Sequence, residues 1–253
     1  MIRKAVILAA GKGIRLMPLT RTTPKEMIQV GAKPVIERII EISPICGIEE
    51  ILIVLNPQKK ALLDRISSWQ MMGLNVSYCF QNKASGTAHA VYLGRKFVGE
   101  ESFVVVYGDN YFESSSSFVR AIEFHQNRKA DATLLLHYIK EPYHSGLVKL
   151  DQNCRILKII EKPTVEEAIS CTIGRNYVCV AGLHILEPLV FQFIEQTRAG
   201  RNGETWLTDT IELMRASCHN VYGVLSPEGV WDIGTPEMLR KARSHFRRST
   251  KNG

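Results

Sequence analysis

The sequence predicts an α/β protein with a three-layer α/β/α architecture around a central, mainly parallel mixed sheet. Short apolar runs rich in branched residues recur along the chain, which is typical of buried strands. In the first half these runs alternate with segments of helical spacing, and this alternation predicts helices on both faces of a parallel sheet. The chain has 253 residues, 45% hydrophobic and 23% charged, so it can bury a sizeable core without disulfides or a structural metal. The predicted strands are residues 5–9, 51–55, 76–80, 103–106, 132–138 and 178–186.

The apolar run at residues 5–10 is interpreted as the first strand. It is too short for the core of a signal peptide and far shorter than a membrane-spanning helix. Gly11 and Gly13 end it. The helices predicted between the strands of the first half are residues 34–42, 58–69, 87–97 and 118–127.

After residue 141 the alternation changes to a predicted hairpin, in which residues 146–150 and 155–160 flank a polar turn. Helical spacing then returns at residues 188–197, 207–216 and 236–246. Pro188 and Pro236 are placed in the first turns of two of these helices. Since no linker, repeat or low-complexity tract is visible, we expect residues 1–253 to form one domain.

Cysteine spacing and charge narrow the class of protein. The six cysteines show no Cys-x-x-Cys spacing, which argues against a zinc site and a disulfide framework and favours reduced thiols in a cytoplasm. The net charge is +7, but six basic residues and no acid lie in residues 240–253, so the body is nearly neutral. We therefore expect no nucleic-acid partner and no membrane partner. The basic C-terminal helix end is either a solvated face or a polyanion-binding tail.

A loop of small residues follows the first predicted strand, at the end of the sheet where open α/β proteins bind ligands. At Gly11 and Gly13 the backbone N–H groups can point at phosphate oxygens, and Arg15 adds positive charge. The alternative is a tight turn without a ligand, since glycine also serves sharp turns. The loop lacks the third glycine of a dinucleotide fingerprint and the ending of a Walker loop. It reads Leu8-Ala9-Ala10-Gly11-Lys12-Gly13-Ile14-Arg15-Leu16.

A second motif, Pro24-Lys25-Glu26-Met27, places another cation in a proline-stiffened loop ten residues after Arg15. With the glycine loop and the later Lys-Pro-Val-Ile run it resembles the sugar-phosphate nucleotidyltransferases, especially the glucose-1-phosphate uridylyl- and thymidylyltransferases. The resemblance covers about residues 6–239. It implies that Arg15 and Lys25 are catalytic and stabilise charge at the α-phosphate. The nucleotide-binding residues that it implies in this loop are Leu8, Ala9, Ala10, Gly11 and Gly13.

The same resemblance implies a Rossmann-like nucleotidyltransferase fold with a small sugar-binding β lobe. Residues of about 1–112 would form the nucleotide-binding half and about 113–239 the sugar-phosphate-binding half. Residues 240–253 would form the basic C-terminal helix end.

Gln81 follows the predicted strand at residues 76–80 and opens the run Gln-Asn-Lys-Ala-Ser-Gly-Thr. Its amide offers a C=O and an NH₂ together, which match the N3–H and the C=O of uracil or thymine. On the residues alone, a solvated loop is the alternative. The resemblance assigns this segment to base recognition, which makes Gln81, Gly86 and Thr87 nucleotide-binding residues.

Asp109 follows the predicted strand at residues 103–106. An aspartate there either caps the next segment or holds a divalent cation, and hard oxygen ligands suit Mg²⁺. The late run that begins at Asp232 and reads Asp-Ile-Gly-Thr-Pro resembles a family segment. The resemblance implies that Asp109 and Asp232 share one Mg²⁺ and that Asn110 contacts the sugar.

The fourth motif consists of Gly146 in Ser-Gly-Leu-Val and of Glu161 and Lys162 in Glu-Lys-Pro. A lysine attracts a phosphate and a glutamate accepts hydrogen bonds from hydroxyls, although an exposed Glu-Lys pair is also common on surfaces. The resemblance implies that Gly146, Glu161 and Lys162 bind the sugar phosphate.

The function expected from these motifs is nucleotidyl transfer from UTP or dTTP to a hexose 1-phosphate, glucose 1-phosphate in the first instance. The base stays open, because Gly-Asp-Asn is closer to the thymidylyl branch and Pro-Lys-Glu-Met to the uridylyl branch. The expected partners are small-molecule substrates and a second copy of the chain. The alternatives are a glycosyltransferase that consumes a nucleotide sugar and a non-catalytic subunit of the same fold.

Overall fold

The computed structural model describes residues 1–71, 74–140, 146–161, 163–169, 171–173, 176–200 and 203–249. Its strands are β1 (Lys4–Ala9), β2 (Gln29–Val30), β3 (Lys33–Pro34), β4 (Glu50–Leu55), β5 (Asn75–Phe80), β6 (Phe103–Tyr107), β7 (Asn110–Phe112), β8 (Ala132–Ile139), β9 (Leu147–Leu150), β10 (Ile156–Ile160), β11 (Thr172–Ile173), β12 (Asn176–Leu186), β13 (Val221–Leu225) and β14 (Val230–Asp232).

The helices lie between these strands. They are α1 (Val35–Ile45), α2 (Lys60–Met71), α3 (Thr87–Tyr92), α4 (Arg95–Val98), α5 (Ser116–Arg128), α6 (Val165–Ile169), α7 (Val190–Gln196), α8 (Leu207–Ala216) and α9 (Pro236–Ser249). Single 3₁₀ turns occur at Ile14–Leu16, Leu19–Arg21 and Lys25–Met27. Within the described ranges, no helix is both long enough and apolar enough to span a membrane.

The main sheet is parallel in the first half of the chain and antiparallel around one long strand of the second half. Strands β5, β4, β1 and β6 lie side by side and parallel. β12 then pairs antiparallel with β6 and with β8 on its other edge, and β9 and β10 continue the sheet as the hairpin that the sequence predicts. The strands of the two halves of the chain therefore belong to one sheet.

Helices cover both faces of this sheet, as predicted. Side chains alternate along β1, so that Ala5 and Ile7 face one core cluster and Val6 and Leu8 face the other. The first cluster contains buried residues of α1, α2 and α5, and the second contains buried residues of α3, α7 and α8. This packing is the three-layer α/β/α arrangement.

Two predicted helices differ in their boundaries. The helix predicted at residues 87–97 is divided into α3 and α4 around Gly94, where a Cβ would lie 3.1 Å from the Val6 side chain. Close packing against β1 therefore accounts for the glycine. The placement of Pro188 in a first helical turn is wrong, because α7 begins at Val190, whereas Pro236 is the first residue of α9 as predicted.

Short strands that the sequence analysis missed bring distant segments together. β7 pairs antiparallel with β14, with Asp232 opposite Asn110. A small apolar cluster lies beside this ladder and collects side chains from the glycine-containing loop, the Pro-Lys-Glu-Met loop, the segment after β14 and the helix α9. Its buried members are Leu16, Ile28, Val30, Val35, Ile233, Leu239 and Ala242.

Candidate active site

The glycine-containing loop and Asp109 lie at one end of the main sheet, because β1 and β6 are adjacent parallel strands. The loop leaves the carboxyl end of β1, and Asp109 follows the carboxyl end of β6. The backbone N–H of Gly108 donates to the carbonyl of Leu8 at 3.0 Å, which joins the two segments directly. The sequence motifs therefore meet where open α/β sheets place their ligands.

Lys25 and Asp109 form a partly buried ion pair in which the Lys25 ammonium donates to Asp109 Oδ2. Burial alone would raise the pKa of the Asp109 carboxyl, but the Lys25 ammonium outweighs burial and leaves this pKa below its usual value. Burial likewise disfavours the charge of Lys25, but the carboxylates of Asp109 and Glu26 outweigh it and raise the pKa of Lys25. Both groups are therefore charged at neutral pH.

Asp232 is brought beside Asp109 by the β7–β14 ladder. The backbone N–H of Ile233 donates to the carbonyl of Asp109 at 3.1 Å. Burial raises the pKa of the Asp232 carboxyl, and the like charge of Asp109 raises it further. The two carboxylates thus lie together in a partly buried site, in which each disfavours the ionisation of the other.

This pair fits a divalent cation by the chemistry of its donors. Carboxylate oxygens are hard ligands that suit Mg²⁺, and a cation would relieve the repulsion that raises the pKa of Asp232. In the part of the chain that the structure describes, no cluster of three or more His, Cys, Asp or Glu side chains is arranged to hold a metal. Asp109 and Asp232 therefore suit an ion whose other ligands are water and phosphate oxygens, as is usual for Mg²⁺ at phosphate-transfer sites.

Arg15 lies on the same side as Asp232. It is exposed and belongs to the 3₁₀ turn Ile14–Leu16. A Cβ on Gly234 would lie 2.9 Å from an Asp232 carboxylate oxygen and 3.0 Å from an Arg15 guanidinium nitrogen. Arg15 and Asp232 therefore flank Gly234, and the exposed guanidinium is accessible to a ligand. Arg15, Lys25, Asp109 and Asp232 thus converge at one site.

The glycine-containing loop approaches Lys25 closely. A Cβ on Gly11 would lie 3.2 Å from the Cε and Nζ atoms of Lys25. Gly13 has a φ of 68°, which favours glycine, and its carbonyl accepts a hydrogen bond from the Thr20 hydroxyl at 2.8 Å. Glycine at position 11 thus allows the loop to approach Lys25, and glycine at position 13 allows the positive φ. Leu8 and Ala9 are buried in β1, and Ala10 follows them half-buried.

Gln81 is buried at the end of β5 and bonded within its own loop. Its Nε2 donates to the carbonyl of Gly86 at 3.0 Å and lies 3.0 Å from His89 Nδ1. The amide is therefore held in one orientation. Whether it contacts a base stays a prediction.

Gly86 and Thr87 contact the segment at the start of α8, which the sequence analysis did not predict. Gly86 has a φ of 95°, and a Cβ there would lie 2.1 Å from the carbonyl oxygen of Thr205. The hydroxyl of Thr87 accepts a hydrogen bond from the backbone N–H of Leu207 at 2.9 Å, at the start of α8. The start of α8, which reads Leu-Thr-Asp, thus supports the predicted base loop.

On the other side of the site, Gly146 and Glu161 lie together. A Cβ on Gly146 would lie 2.9 Å from a carboxylate oxygen of Glu161, and the same oxygen accepts a hydrogen bond from the Thr208 hydroxyl at 2.9 Å. Asn110 is buried, and its Nδ2 donates to the carbonyl of Ala181 at 2.9 Å. The predicted phosphate ligand Lys162 lies outside the described residues.

Tyr107 links the two sides and was also missed. It ends β6, and its hydroxyl lies near Thr87 and Glu161. Burial raises the pKa of the Tyr107 hydroxyl, and the nearby Glu161 carboxylate adds to the effect. A strand-end tyrosine in an apolar run gives no sequence signal of this role. Thr208 lies in the second position of α8, a helix to which the sequence analysis assigned no role in the site.

Comparison with known proteins identifies the class. Residues 4–249 match the family model described as nucleotidyl transferase, so the chain belongs to this family. It is 28% identical to the UTP–glucose-1-phosphate uridylyltransferase 1 of Staphylococcus saprophyticus over 83% of this chain and 81% of that protein. It is also 28% identical to the glucose-1-phosphate thymidylyltransferase of Neisseria meningitidis over 95% of this chain and 81% of that protein.

The fold is confirmed by a crystal structure of UDP-glucose pyrophosphorylase complexed with UDP-glucose. The match has a TM-score of 0.87 at 24% identity and covers 98% of this chain and 100% of the other. The nucleotidyltransferase fold and the family resemblance inferred from the sequence are thus confirmed.

Proposed function

We propose that the protein transfers a nucleotidyl group from UTP or dTTP to a hexose 1-phosphate, with glucose 1-phosphate as the acceptor, and releases pyrophosphate. The observation that carries this proposal is the convergence of Arg15, Lys25, Asp109 and Asp232 at the carboxyl end of the parallel strands. Family membership and the two relatives, one a uridylyl- and the other a thymidylyltransferase, support it.

The reaction requires two polyanions to approach each other. A phosphate oxygen of the sugar phosphate attacks the α-phosphorus and forms a new P–O bond. The bond between the α-phosphorus and the oxygen that bridges it to the β-phosphorus breaks, and pyrophosphate leaves with the electron pair. Because the attacking oxygen is already ionised at neutral pH, the step requires no protein nucleophile or general base.

The charged side chains supply the stabilisation that this step needs. Arg15 and Lys25 stabilise the negative charge at the α-phosphate and on the leaving pyrophosphate, and the backbone of residues 8–13 orients the triphosphate. Asp109 and Asp232 would hold Mg²⁺, which when bound neutralises phosphate charge. Alignment of the attacking and leaving oxygens supplies much of the remaining acceleration.

The selection of the two substrates is assigned to the flanking residues. Gln81, Gly86 and Thr87 are the proposed base-recognition residues. Asn110, Gly146, Glu161 and Lys162 are the proposed sugar-phosphate residues. The proposed nucleotide-binding half is about residues 1–112, and the proposed sugar-phosphate half is about residues 113–239.

We place the reaction in the cytoplasm. Cys46, Cys79, Cys154 and Cys218 are free thiols, which suits a reducing compartment. Cys171 and Cys179 are buried, whereas Cys218 is exposed. Self-association stays a prediction.

The test is a matrix of four nucleoside triphosphates against several hexose 1-phosphates, with Mg²⁺ and with a chelator, scored by pyrophosphate release. We expect release with UTP or dTTP and glucose 1-phosphate, and its loss with the chelator. Consumption of a nucleotide sugar without pyrophosphate would indicate a glycosyltransferase. A rise in Tm with UTP but no turnover in any combination would indicate a non-catalytic subunit.

A further inference from the structure

Beneath the site, Lys59 and Glu26 form an ion pair that the proposed reaction does not use. Glu26 is fully buried and the Lys59 side chain is 9% exposed. The Lys59 ammonium donates to both carboxylate oxygens of Glu26, at 2.7 and 2.6 Å, and to the carbonyl oxygen of Ala9 at 2.6 Å. All three donors of this ammonium are thus engaged inside the protein.

The three contacts join separate parts of the site. Ala9 is the last residue of β1 and leads into the glycine-containing loop. Glu26 follows Lys25 in the chain. A Cβ on Gly108 would lie 3.2 Å from Glu26 Cγ, so the Glu26 side chain also packs under the residue before Asp109. This buried pair therefore contacts three segments of the site: the segment that leads into the glycine-containing loop, the segment that carries Lys25 and the segment that carries Asp109.

Stability alone is a poor explanation for this pair. Burial lowers the pKa of Lys59 and raises that of Glu26, so both charges are desolvated at a cost that their attraction does not fully offset. Apolar side chains of similar size are often as stabilising as such a pair. Apolar side chains would not, however, hold the carbonyl of Ala9, since they have no N–H to donate.

We propose that Lys59 and Glu26 are positioning residues for nucleotidyl transfer: the pair fixes the glycine-containing loop relative to Lys25 and Asp109. This inference rests on the proposed function for its kinetic consequence, but its structural consequence can be measured without turnover. Lys59 and Glu26 touch no substrate; they act through the backbone of Ala9 and through the neighbouring Lys25.

The decisive variant is Glu26→Met/Lys59→Met, which replaces the pair by apolar side chains of similar length. We expect its Tm to stay near that of the wild type, whereas Lys59→Met alone leaves a buried carboxylate and lowers Tm. Despite its Tm, the double variant should lose about 100-fold in kcat/KM for the triphosphate, because a small misplacement of reacting groups has an effect of this order. If the pair were only structural, the double variant, with a Tm near that of the wild type, would also have a kcat/KM near that of the wild type.

Hydrogen exchange gives a readout that does not depend on activity. The amides of Leu16 and Met17 donate to the carbonyls of Gly13 and Ile14 at 3.0 and 3.1 Å, so they report the order of the loop. In the protein without substrates, we expect these amides to exchange about 10-fold faster in the double variant than in the wild type, since local opening sets protection.

A matched control exists at the opposite end of β1. The Lys4 ammonium contacts a Glu101 carboxylate oxygen at 2.5 Å and the carbonyl of Val98 at 3.2 Å, which is the same combination of partners. Lys4→Met/Glu101→Met should leave kcat/KM and the exchange of Leu16 and Met17 unchanged.

The outcomes separate the two proposals. Wild-type turnover and exchange in the Glu26→Met/Lys59→Met variant overturn the positioning role. If the wild type releases no pyrophosphate, the proposed function fails, and the exchange of Leu16 and Met17 then decides the role of the pair by itself.

Discussion

Interactions between charged groups order the proposed phosphate side of the site (Arg15, Lys25, Asp109 and Asp232), whereas hydrogen bonds from uncharged donors order the proposed sugar side (Asn110, Gly146 and Glu161). On the phosphate side, Lys25 is paired with Asp109, and Asp109 raises the pKa of Asp232. On the sugar side, Glu161 accepts from the Thr208 hydroxyl and Asn110 donates to a backbone carbonyl. In the reaction we propose, charge stabilises the chemical step and hydrogen bonds to hydroxyls select the acceptor. Substitutions on the two sides should therefore change different kinetic constants.

The largest effect is expected for Asp109→Asn on the phosphate side. The change removes the negative charge that pairs with Lys25 and weakens one proposed ligand of Mg²⁺, so kcat for pyrophosphate release should fall roughly 100-fold or more. The matched control is Asp64→Asn on the exposed face of α2, which should be silent. A variant at position 109 with normal turnover would remove Asp109 from the proposed metal site.

A smaller effect is expected for Glu161→Gln on the sugar side. The amide oxygen can still accept from Thr208, but a neutral group binds hydroxyls less strongly than a carboxylate. We expect the KM for the sugar phosphate to rise about 10-fold with little change in kcat. Initial rates over a range of sugar-phosphate concentrations test this, with Glu166→Gln in α6 as the control. A fall in kcat alone would contradict the distinction between the two sides.

Gln81→Ala tests base selection. It removes the amide that is held by Gly86 and His89, and with it the proposed contact to a pyrimidine edge. The ratio of kcat/KM for UTP to that for CTP should fall about 10-fold. Exposed Gln58→Ala should leave the ratio unchanged. An equal loss for every triphosphate would mean that Gln81 only supports the loop.

The smallest effect on turnover is expected for His184→Phe in the core below both sides. His184 is fully buried in β12, and its ring contacts Tyr107 at a centroid distance of 5.5 Å. Among the residues that the structure describes, neither ring nitrogen has a hydrogen-bond partner. Burial lowers the pKa of His184 to about 3. The unfolded chain binds this proton below about pH 6.5, so the free energy of unfolding decreases as the pH falls.

His184→Phe should remove this contribution. Between about pH 4 and 6.5 the slope of the free energy of unfolding against pH should decrease by about 1.4 kcal/mol per unit, while turnover at neutral pH changes little. Denaturant unfolding at several pH values measures the slope. An unchanged slope would show that His184 is not buried as a neutral ring.

The sequence predicted the repeated strands better than the contacts that bring the residues of the proposed phosphate side together. Long apolar runs such as β4 and β6 have a clear pattern, whereas β7 and β14 have three residues each, too few for any periodicity. Their pairing joins residues about 120 positions apart, and nothing local in the chain indicates it.

Glu26 and Lys59 show a second limit of the sequence. Glu26 is part of a recognised motif, but Lys59 lies in a polar segment before α2, where lysine is common on surfaces. Only the folded chain shows that the two side chains meet. In the same way, Gly86 is explained by a residue outside its own loop, because a Cβ at this position would collide with the backbone of Thr205.

The small apolar cluster around Leu16, Ile28 and Ile233 has a consequence for biosynthesis. Two of its buried members, Leu239 and Ala242, belong to α9. The ribosome releases the glycine-containing loop long before it releases this helix. The loops with Arg15 and Lys25 therefore complete this packing only after α9 has been synthesised, and the proposed site is assembled no earlier.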